Sequence, residues 1–258
     1  APGAELAGRA QPAQPQAHQS QAHQSQASQV DTPAQAEASR RTYDASAYER
    51  PSVTVDVVIL TLREHRIEVL LVRRRHWPFE GMWAIPGGFV NMQESLDEAA
   101  RRELEEETGV RDVYIEQLYT FGEPNRDPRT RVITVVYYAL ARPDQMNVHA
   151  ADDAADARWF PMHHLPPLAF DHDTILAYTL ERLRGKLEYT TIGYQLLGHT
   201  FSLGELQRVY EAILGRPLDK RNFRKKVLST GILERVADAP LGTRRRAVLY
   251  RFNPAAQS

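Results

Sequence analysis

Residues 87–110 read GGFVNMQESLDEAARRELEEETGV. A Gly-Gly turn leads this stretch. From Ser95 onward Leu96, Ala99, Ala100 and Leu104 recur at helical spacing, Ser95 and Glu98 are placed to form a capping box, and Gly109 stands where a helix C-cap belongs. The spacing predicts an amphipathic helix over 95–108. On it Glu103, Glu106 and Glu107 fall at i, i+3 and i+4, so their carboxylates leave one face within about 6 Å of one another and repel when unpaired. Arg101 and Arg102 could make this an ordinary solvated face of Arg–Glu pairs. The glycine turn immediately upstream favours a different reading. Carboxylates clustered beside it suit a hard divalent ion, which takes oxygen ligands and bridges phosphates.

Working outward, the flanking segments are β-like. Val53, Val55, Val57 and Ile59 alternate with Thr54 and Asp56, and a second run, IEVLLVRRR over 67–75, follows the turn-like Arg63-Glu64-His65-Arg66. Further strands are expected at 113–121, 132–139 and 157–160. Strands surrounding one charged helix indicate an α+β or α/β sandwich. After Pro166-Pro167 the period turns helical. Asp173 can cap a helix carrying Ile175, Leu176, Tyr178, Leu180 and Leu183. Ser202 with Glu205 forms a second capping box ahead of Leu206, Val209, Tyr210 and Ile213, with Gly215 ending that helix. A third helix is expected over 219–229. Two β-like runs, 232–236 and 247–252, follow, joined by a basic loop at 240–246. Three helices and a hairpin make a winged-helix outline.

Composition sets limits on function. The chain has 258 residues and a formal charge of -1, which excludes a uniformly basic coat for nucleic acid. The charge is nevertheless segregated: residues 219–251 hold ten cations against three anions, a local +7. With no cysteine, a disulfide scaffold, a zinc-thiolate site and a thiol nucleophile are excluded, leaving metal chemistry to oxygen and imidazole ligands. No stretch approaches the roughly 18 consecutive apolar residues of a spanning helix. With no basic-then-apolar signal pattern either, the expectation is a cytoplasmic protein with no membrane partner. Residues 1–41 contain Leu6 and Val30 as their only large aliphatic side chains, and no aromatic one. Such a segment buries too little apolar surface to offset its ordering entropy, so a disordered tail is expected over 1–48.

Gly88, five residues, Glu94, seven residues, then Arg102-Glu103-Leu104-Glu105-Glu106-Glu107-Thr108-Gly109-Val110 resembles the complete Nudix box. The resemblance implies a Nudix α/β/α sandwich with a mixed sheet. It further implies binding of Mg²⁺ or Mn²⁺ and cleavage of a nucleoside diphosphate linked to another moiety. Carried over by position, Glu103, Glu106 and Glu107 are metal ligands, with the Gly87 carbonyl a further one. Arg102 joins the three glutamates in the catalytic set, and with Glu94 acts as an orienter across the helix. The general base stays open between Glu103 and the loop residues Asp152, Asp153 and Asp156. The run from Tyr119 to Arg131 is similar to the segment after the box in Nudix proteins that handle ADP-ribose. Guanidiniums there would contact pyrophosphate or ribose and a Phe would stack on a base. The substrate-binding candidates are Arg73, Arg75, Phe121, Arg126 and Arg129.

The basic region also carries a resemblance. Tyr189-Thr190-Thr191-Ile192-Gly193-Tyr194, Phe201-Ser202-Leu203-Gly204-Glu205-Leu206-Gln207 and Leu218-Asp219-Lys220-Arg221-Asn222-Phe223-Arg224-Lys225-Lys226 together look like the C-terminal domain of Nudix-related transcriptional regulators of NAD metabolism (NrtR). The layout expected is a tail over 1–48, a Nudix domain over 49–168, and a linker helix with a winged helix-turn-helix over 169–258. In that family the Nudix domain senses ADP-ribose, the winged helix binds double-stranded operator DNA, and the protein is a homodimer. The DNA-binding candidates are Lys220, Arg221, Asn222, Arg224, Lys225, Arg244 and Arg245. Many such regulators carry a degraded box, whereas this sequence keeps every box carboxylate. The function expected is therefore Mg²⁺-dependent hydrolysis of ADP-ribose or a related nucleotide to AMP and ribose 5-phosphate, fused to DNA binding. The alternative is an ADP-ribose-sensing repressor with little or no hydrolysis.

Overall fold

The computed structural model describes residues 44–111, 113–145, 157–187, 191–241 and 245–253. Most of the expected tail lies outside the described residues. Of its last residues, Ala45–Ala47 form a 3-10 turn capped by the Asp44 carboxylate, which accepts from the Ser46 amide at 2.9 Å.

From residue 50 onward the chain first builds a seven-stranded mixed sheet. Its strands are β1 (Ser52–Arg63), β2 (Arg66–Arg73), β3 (Trp83–Ala84), β4 (Gly87–Phe89), β5 (Tyr114–Phe121), β6 (Val132–Leu140) and β7 (Ala157–Pro161). The order is β3-β2-β1-β6-β5, with β4 pairing β1 and β7 pairing β2. β1 and β6 run parallel and the other pairs antiparallel. The β1–β2 hairpin closes on Glu64 and His65, both at positive φ, the conformation that matches a two-residue turn to strand twist. β2 is shorter than its sequence pattern: it ends at Arg73, and Arg74 and Arg75 lie beyond it.

β1 is buried from Thr54 to Thr61 because both faces of the sheet are covered. On one face Val55, Val57 and Ile59 pack with Ala99, Ala100 and Leu104 of α1 (Leu96–Thr108). On the other Val58 and Leu60 share a core with Ile175, Leu176 and Leu183 of α2 (His172–Lys186). α1 starts and stops as its sequence prescribes. Ser95 and Glu98 exchange capping bonds, and Gly109 sits in the left-handed region with φ 68°, where a side chain would be strained. α2 begins differently. Its N-cap is Asp171 rather than Asp173, and the Asp171 side chain makes no capping bond; both of its oxygens accept from Arg126 instead.

The core on the α2 face continues without a break into the C-terminal unit, where Leu206, Val209, Ile213, Phe223 and Val227 join the same cluster. That unit comprises β8 (Phe201–Ser202), α3 (Leu203–Leu214), α4 (Lys220–Ser229), β9 (Leu233–Leu241) and β10 (Arg245–Phe252). The strands are ordered β8-β10-β9, and Ser202 and Glu205 form the expected capping box. Two features depart from expectation. The first helical segment of this unit is a 3-10 turn, Ile192–Leu196, while the helix carrying Ile175 to Leu183 serves the sheet of the preceding domain. The wing strands are also longer than their apolar runs. β9 reaches Leu241 through Pro240, which an edge strand tolerates, and Arg245 and Arg246 stand in β10 rather than in the loop. Among the described residues no helix is long and apolar enough to cross a membrane.

Candidate functional site

Two glycines separate two polar regions. A Cβ on Gly87 would lie 2.3 Å from the Val55 carbonyl oxygen and 2.7 Å from Asp56 Oδ1, whereas one on Gly88 would lie 2.2 Å from Glu103 Oε1. Consecutive strand residues point to opposite faces, so Gly87 looks toward a cavity around Asp56 and Gly88 toward the carboxylates of α1. At Gly87 the clash is with backbone, so no side chain fits; at Gly88 it is with the Glu103 carboxylate, which any side chain there would have to displace.

On the α1 side Arg102 is the hub. Its Nε and Nη2 donate to the two oxygens of Glu94 at 2.9 and 2.7 Å, its Nη1 donates to Glu103 at 2.7 Å and to Glu106 at 3.1 Å, and its Nη2 also reaches the Phe89 carbonyl at 3.2 Å. One guanidinium thereby holds the loop after β4 and two carboxylates of the helix in register. The bond from Arg102, helped by the Asn91 amide, brings the Glu94 carboxyl down to about 2. Glu103 is 7% exposed, and burial raises its carboxyl above the usual range despite Arg102. Glu107 is pushed up to about 7, first by burial and then by the charges of Glu103 and Glu106, with Arg75 pulling the other way. The cluster is thus short of positive charge, and every donor is a carboxylate oxygen, as a hard divalent cation requires. Among the described residues no three His, Asp or Glu side chains form a ready-made cage. The donor set fits such an ion chemically, and the side chains would have to converge on it. Arg102 touches carboxylates and backbone, which makes it a positioning residue. Of the candidates for the general base, Asp152, Asp153 and Asp156 lie outside the described residues.

On the other side of the turn a cavity of about 170 Å³ is lined by Asp56, Arg74, Arg126, Arg129, Phe170 and His172, among others. The Arg74 guanidinium lies over the Phe170 ring at 4.7 Å, and Arg129 stands 5.3 Å from the Phe89 ring. Burial, and then repulsion from Arg129, make Arg74 a weaker base than usual, and the charge of an incoming anion would offset both. Arg129 is forked onto Asp127, and Arg126 is forked onto Asp171 at 2.6 and 3.0 Å. His172 accepts the Ile85 amide on Nδ1 at 2.9 Å, and burial favours its neutral form. That bond places the neutral ring's proton on Nε2, which faces Asp56 at 4.0 Å.

Of the five expected substrate contacts, Arg126 and Arg129 line this cavity. Arg73 does not: it is exposed and tied to the Gly81 carbonyl at 3.0 Å. Arg74 takes its place because successive residues past the end of β2 face different ways. Arg75 belongs to the carboxylate side, where its charge acts on Glu107. Phe121 packs against Tyr119 and Tyr178, away from the cavity. Asp56, Phe89, Phe170 and His172 were not foreseen. An Asp in the buried stretch of a strand was the one signal that could have pointed here, because a buried carboxylate requires partners.

In the C-terminal unit α4 turns Phe223 and Val227 inward and exposes Lys220, Arg221, Asn222, Arg224, Lys225 and Lys226. Asp219 caps the helix through the Asn222 amide at 2.8 Å, and among the described residues the helix cations have no ion-pair partner. Arg244 lies outside the described residues, and Arg245 opens β10 opposite Leu241.

The NUDIX domain family model matches residues 50–182, and the NrtR DNA-binding winged helix domain model matches residues 193–252. The chain belongs to the Nudix family, in its NrtR-type branch. It is 35% identical to the ADPR responsive transcriptional repressor NtrR of Acinetobacter baylyi, over 81% of this chain and 85% of that protein. It is 40% identical to the ADP-ribose pyrophosphatase of Methanocaldococcus jannaschii, over 50% of this chain and 73% of that protein. Among solved structures, Shewanella oneidensis NrtR complexed with a 27mer DNA superimposes with a TM-score of 0.70 at 36% identity, covering 79% of this chain and 94% of that one. The Nudix domain followed by a winged helix is therefore the family's own arrangement.

Proposed function

We propose that this protein is a DNA-binding regulator whose Nudix domain takes ADP-ribose, or a closely related nucleoside diphosphate derivative, and hydrolyses it to AMP and ribose 5-phosphate. The observation that carries the hydrolytic half is the intact, charge-deficient carboxylate cluster: Glu103, Glu106 and Glu107 on one helix face, with Glu107 pushed up to about 7. Those three side chains and the Gly87 carbonyl would hold Mg²⁺ or Mn²⁺. When bound, such an ion neutralises pyrophosphate charge and acidifies a coordinated water. Arg102 keeps Glu103 and Glu106 in register, and Glu94 keeps Arg102 in place. Across the Gly-Gly turn Arg74, Arg126 and Arg129 offer guanidiniums to the ligand's phosphates, with Phe89 and Phe170 beside them as apolar faces.

The winged helix supplies the regulatory half. Lys220, Arg221, Asn222, Arg224 and Lys225 would meet the major groove, and the β9–β10 wing with Arg244 and Arg245 would meet the DNA backbone. A homodimer pairing two such helices on operator half-sites, working in the cytoplasm, completes this reading. A sensing repressor that hydrolyses little or nothing is the second reading, favoured by the near full-length match to the Acinetobacter repressor. AMP release from ADP-ribose by the full chain, with Mg²⁺ and with chelator, beside Glu107→Gln, separates the two. Chelator-sensitive release that the variant lacks establishes the hydrolase. Binding without release establishes the sensor.

A further inference from the structure

Arg126 is the most enclosed cation of the cavity, with 4% of its side chain exposed, and its fork is already occupied by Asp171 at 2.6 and 3.0 Å, with Asp56 at 3.8 Å. A ligand phosphate can engage Arg126 fully only by displacing a carboxylate, and Asp171 is the one that holds it bidentately. Asp171 also occupies the N-cap of α2, where its side chain would ordinarily accept from the first free amides of the helix. It does not, and the Thr174 amide is instead served by Asp173 at 2.7 Å. Asp171 therefore stands between two competing partners, the cavity arginine that holds it now and its own helix.

That helix is mechanically connected. Ile175, Leu176 and Leu183 lie in the continuous core with Leu206, Val209 and Ile213 of α3. Near its far end Arg184 Nε donates to the Ile213 carbonyl at 2.9 Å, just before the Gly215 cap that ends α3. A shift at the start of α2 thus has a packed and hydrogen-bonded route to the winged helix. Two discrete arrangements of one side chain, each favoured by a different ligand state, are what a population shift requires.

We propose that the Arg126–Asp171 pair is a ligand-operated latch: an anionic phosphate group entering the cavity takes Arg126 from Asp171, and Asp171 then caps α2 and resets the helix on which the winged helix rests. The latch rests on the cavity being the site that receives the phosphates of ADP-ribose.

The test uses the full chain, with ADP-ribose and inorganic pyrophosphate as separate probes. Affinity is measured by calorimetry, and hydrogen exchange is followed over 172–178 at the start of α2 and 209–215 at the end of α3. In the native protein a bound probe is expected to alter exchange in both segments. Asp171→Asn is expected to bind several-fold more tightly and to show the reset pattern at 209–215 before any ligand is added. Asp171→Ser, which keeps a capping hydroxyl without the ion pair, serves if the Asn variant does not fold. Native affinity in the variant, or ligand binding that leaves 209–215 unchanged, overturns the latch. Failure of ADP-ribose alone to bind overturns the substrate reading instead, and the latch is then decided by the pyrophosphate arm.

Discussion

α1 and α4 are both short helices with a carboxylate-bearing N-cap or capping box and a run of like charges, yet the fold treats them oppositely. The acidic face of α1 is drawn against β4 until Glu103 fills the space over Gly88 and is buried, with Glu107 partly buried beside it and Glu106 at the exposed rim, so like charges are held together where solvent screens them less. The basic face of α4 is left in solvent, with only Phe223 and Val227 buried. Confinement raises proton affinity and makes a point site for a small ion, at a cost in stability until that ion arrives. Exposure costs little and builds a field extending over about 10 Å at ordinary ionic strength, suited to an extended polyanion. The chemistry each helix serves follows from where its charges are kept rather than from how many there are.

The largest expected effect is on α1. Glu107→Gln should reduce divalent-dependent ADP-ribose turnover to background while leaving DNA retention intact, as read by AMP release beside a gel-shift assay. Equal turnover in the variant would move the metal site elsewhere. Next comes Gly88→Ala, whose added methyl meets Glu103 at 2.2 Å. Metal affinity should fall about 10- to 100-fold, the range for displaced supports of metal ligands, and a titration with Mn²⁺ reads it. On α4, Arg221→Ala or Arg224→Ala should weaken operator binding and flatten its dependence on salt, with hydrolysis unchanged. The log–log slope should fall by about one unit for each phosphate that the protein no longer neutralises. An unaltered slope would mean these arginines do not face DNA.

The smallest effect separates the helices by pH. The Glu107 carboxyl has a reference value of 4.5 and stands at about 7 in the fold, so the folded state binds the extra proton between those values. Its contribution to stability is fullest below 4.5 and is lost as pH rises through about 7. In chelator, the native protein should therefore lose melting temperature from pH 5 to pH 8 relative to Glu107→Gln, and Mg²⁺ should restore it at pH 8. Arginine-to-alanine changes on α4 should produce no such pH-dependent difference, because guanidinium does not titrate in this range.

Much of the fold could be read directly because it is written in local chemistry. The capping boxes at Ser95 and Ser202, the left-handed caps at Gly109 and Gly215, and the Asp219 cap of α4 all join residues within four positions of each other. The clustering of Glu103, Glu106 and Glu107 is a consequence of helical pitch alone. Where the structure departs from the local pattern, the determining contact is long-range. Pattern could not distinguish Arg73 from Arg74 at the end of β2, and the cavity took Arg74. Phe121 had the right chemistry for stacking on a base, but Tyr119 and Tyr178 hold it elsewhere. The linker helix carrying Ile175 to Leu183 packs on the sheet as well as on α3, sharing one core with Val58 and Leu60.

By itself, the sequence determined the acidic and basic helices, their ends, the order of the two domains and the Gly-Gly turn at 87 and 88, since each follows from residues within a turn or two of chain. Tertiary structure alone decided that Arg126 would be held by Asp171, 45 residues away, that His172 would accept the amide of Ile85, 87 residues away, and that Glu107 would be buried enough to resist ionisation. Burial and charge pairing depend on which surfaces meet, and that is settled only when the sheet, α2 and the winged helix close over one core.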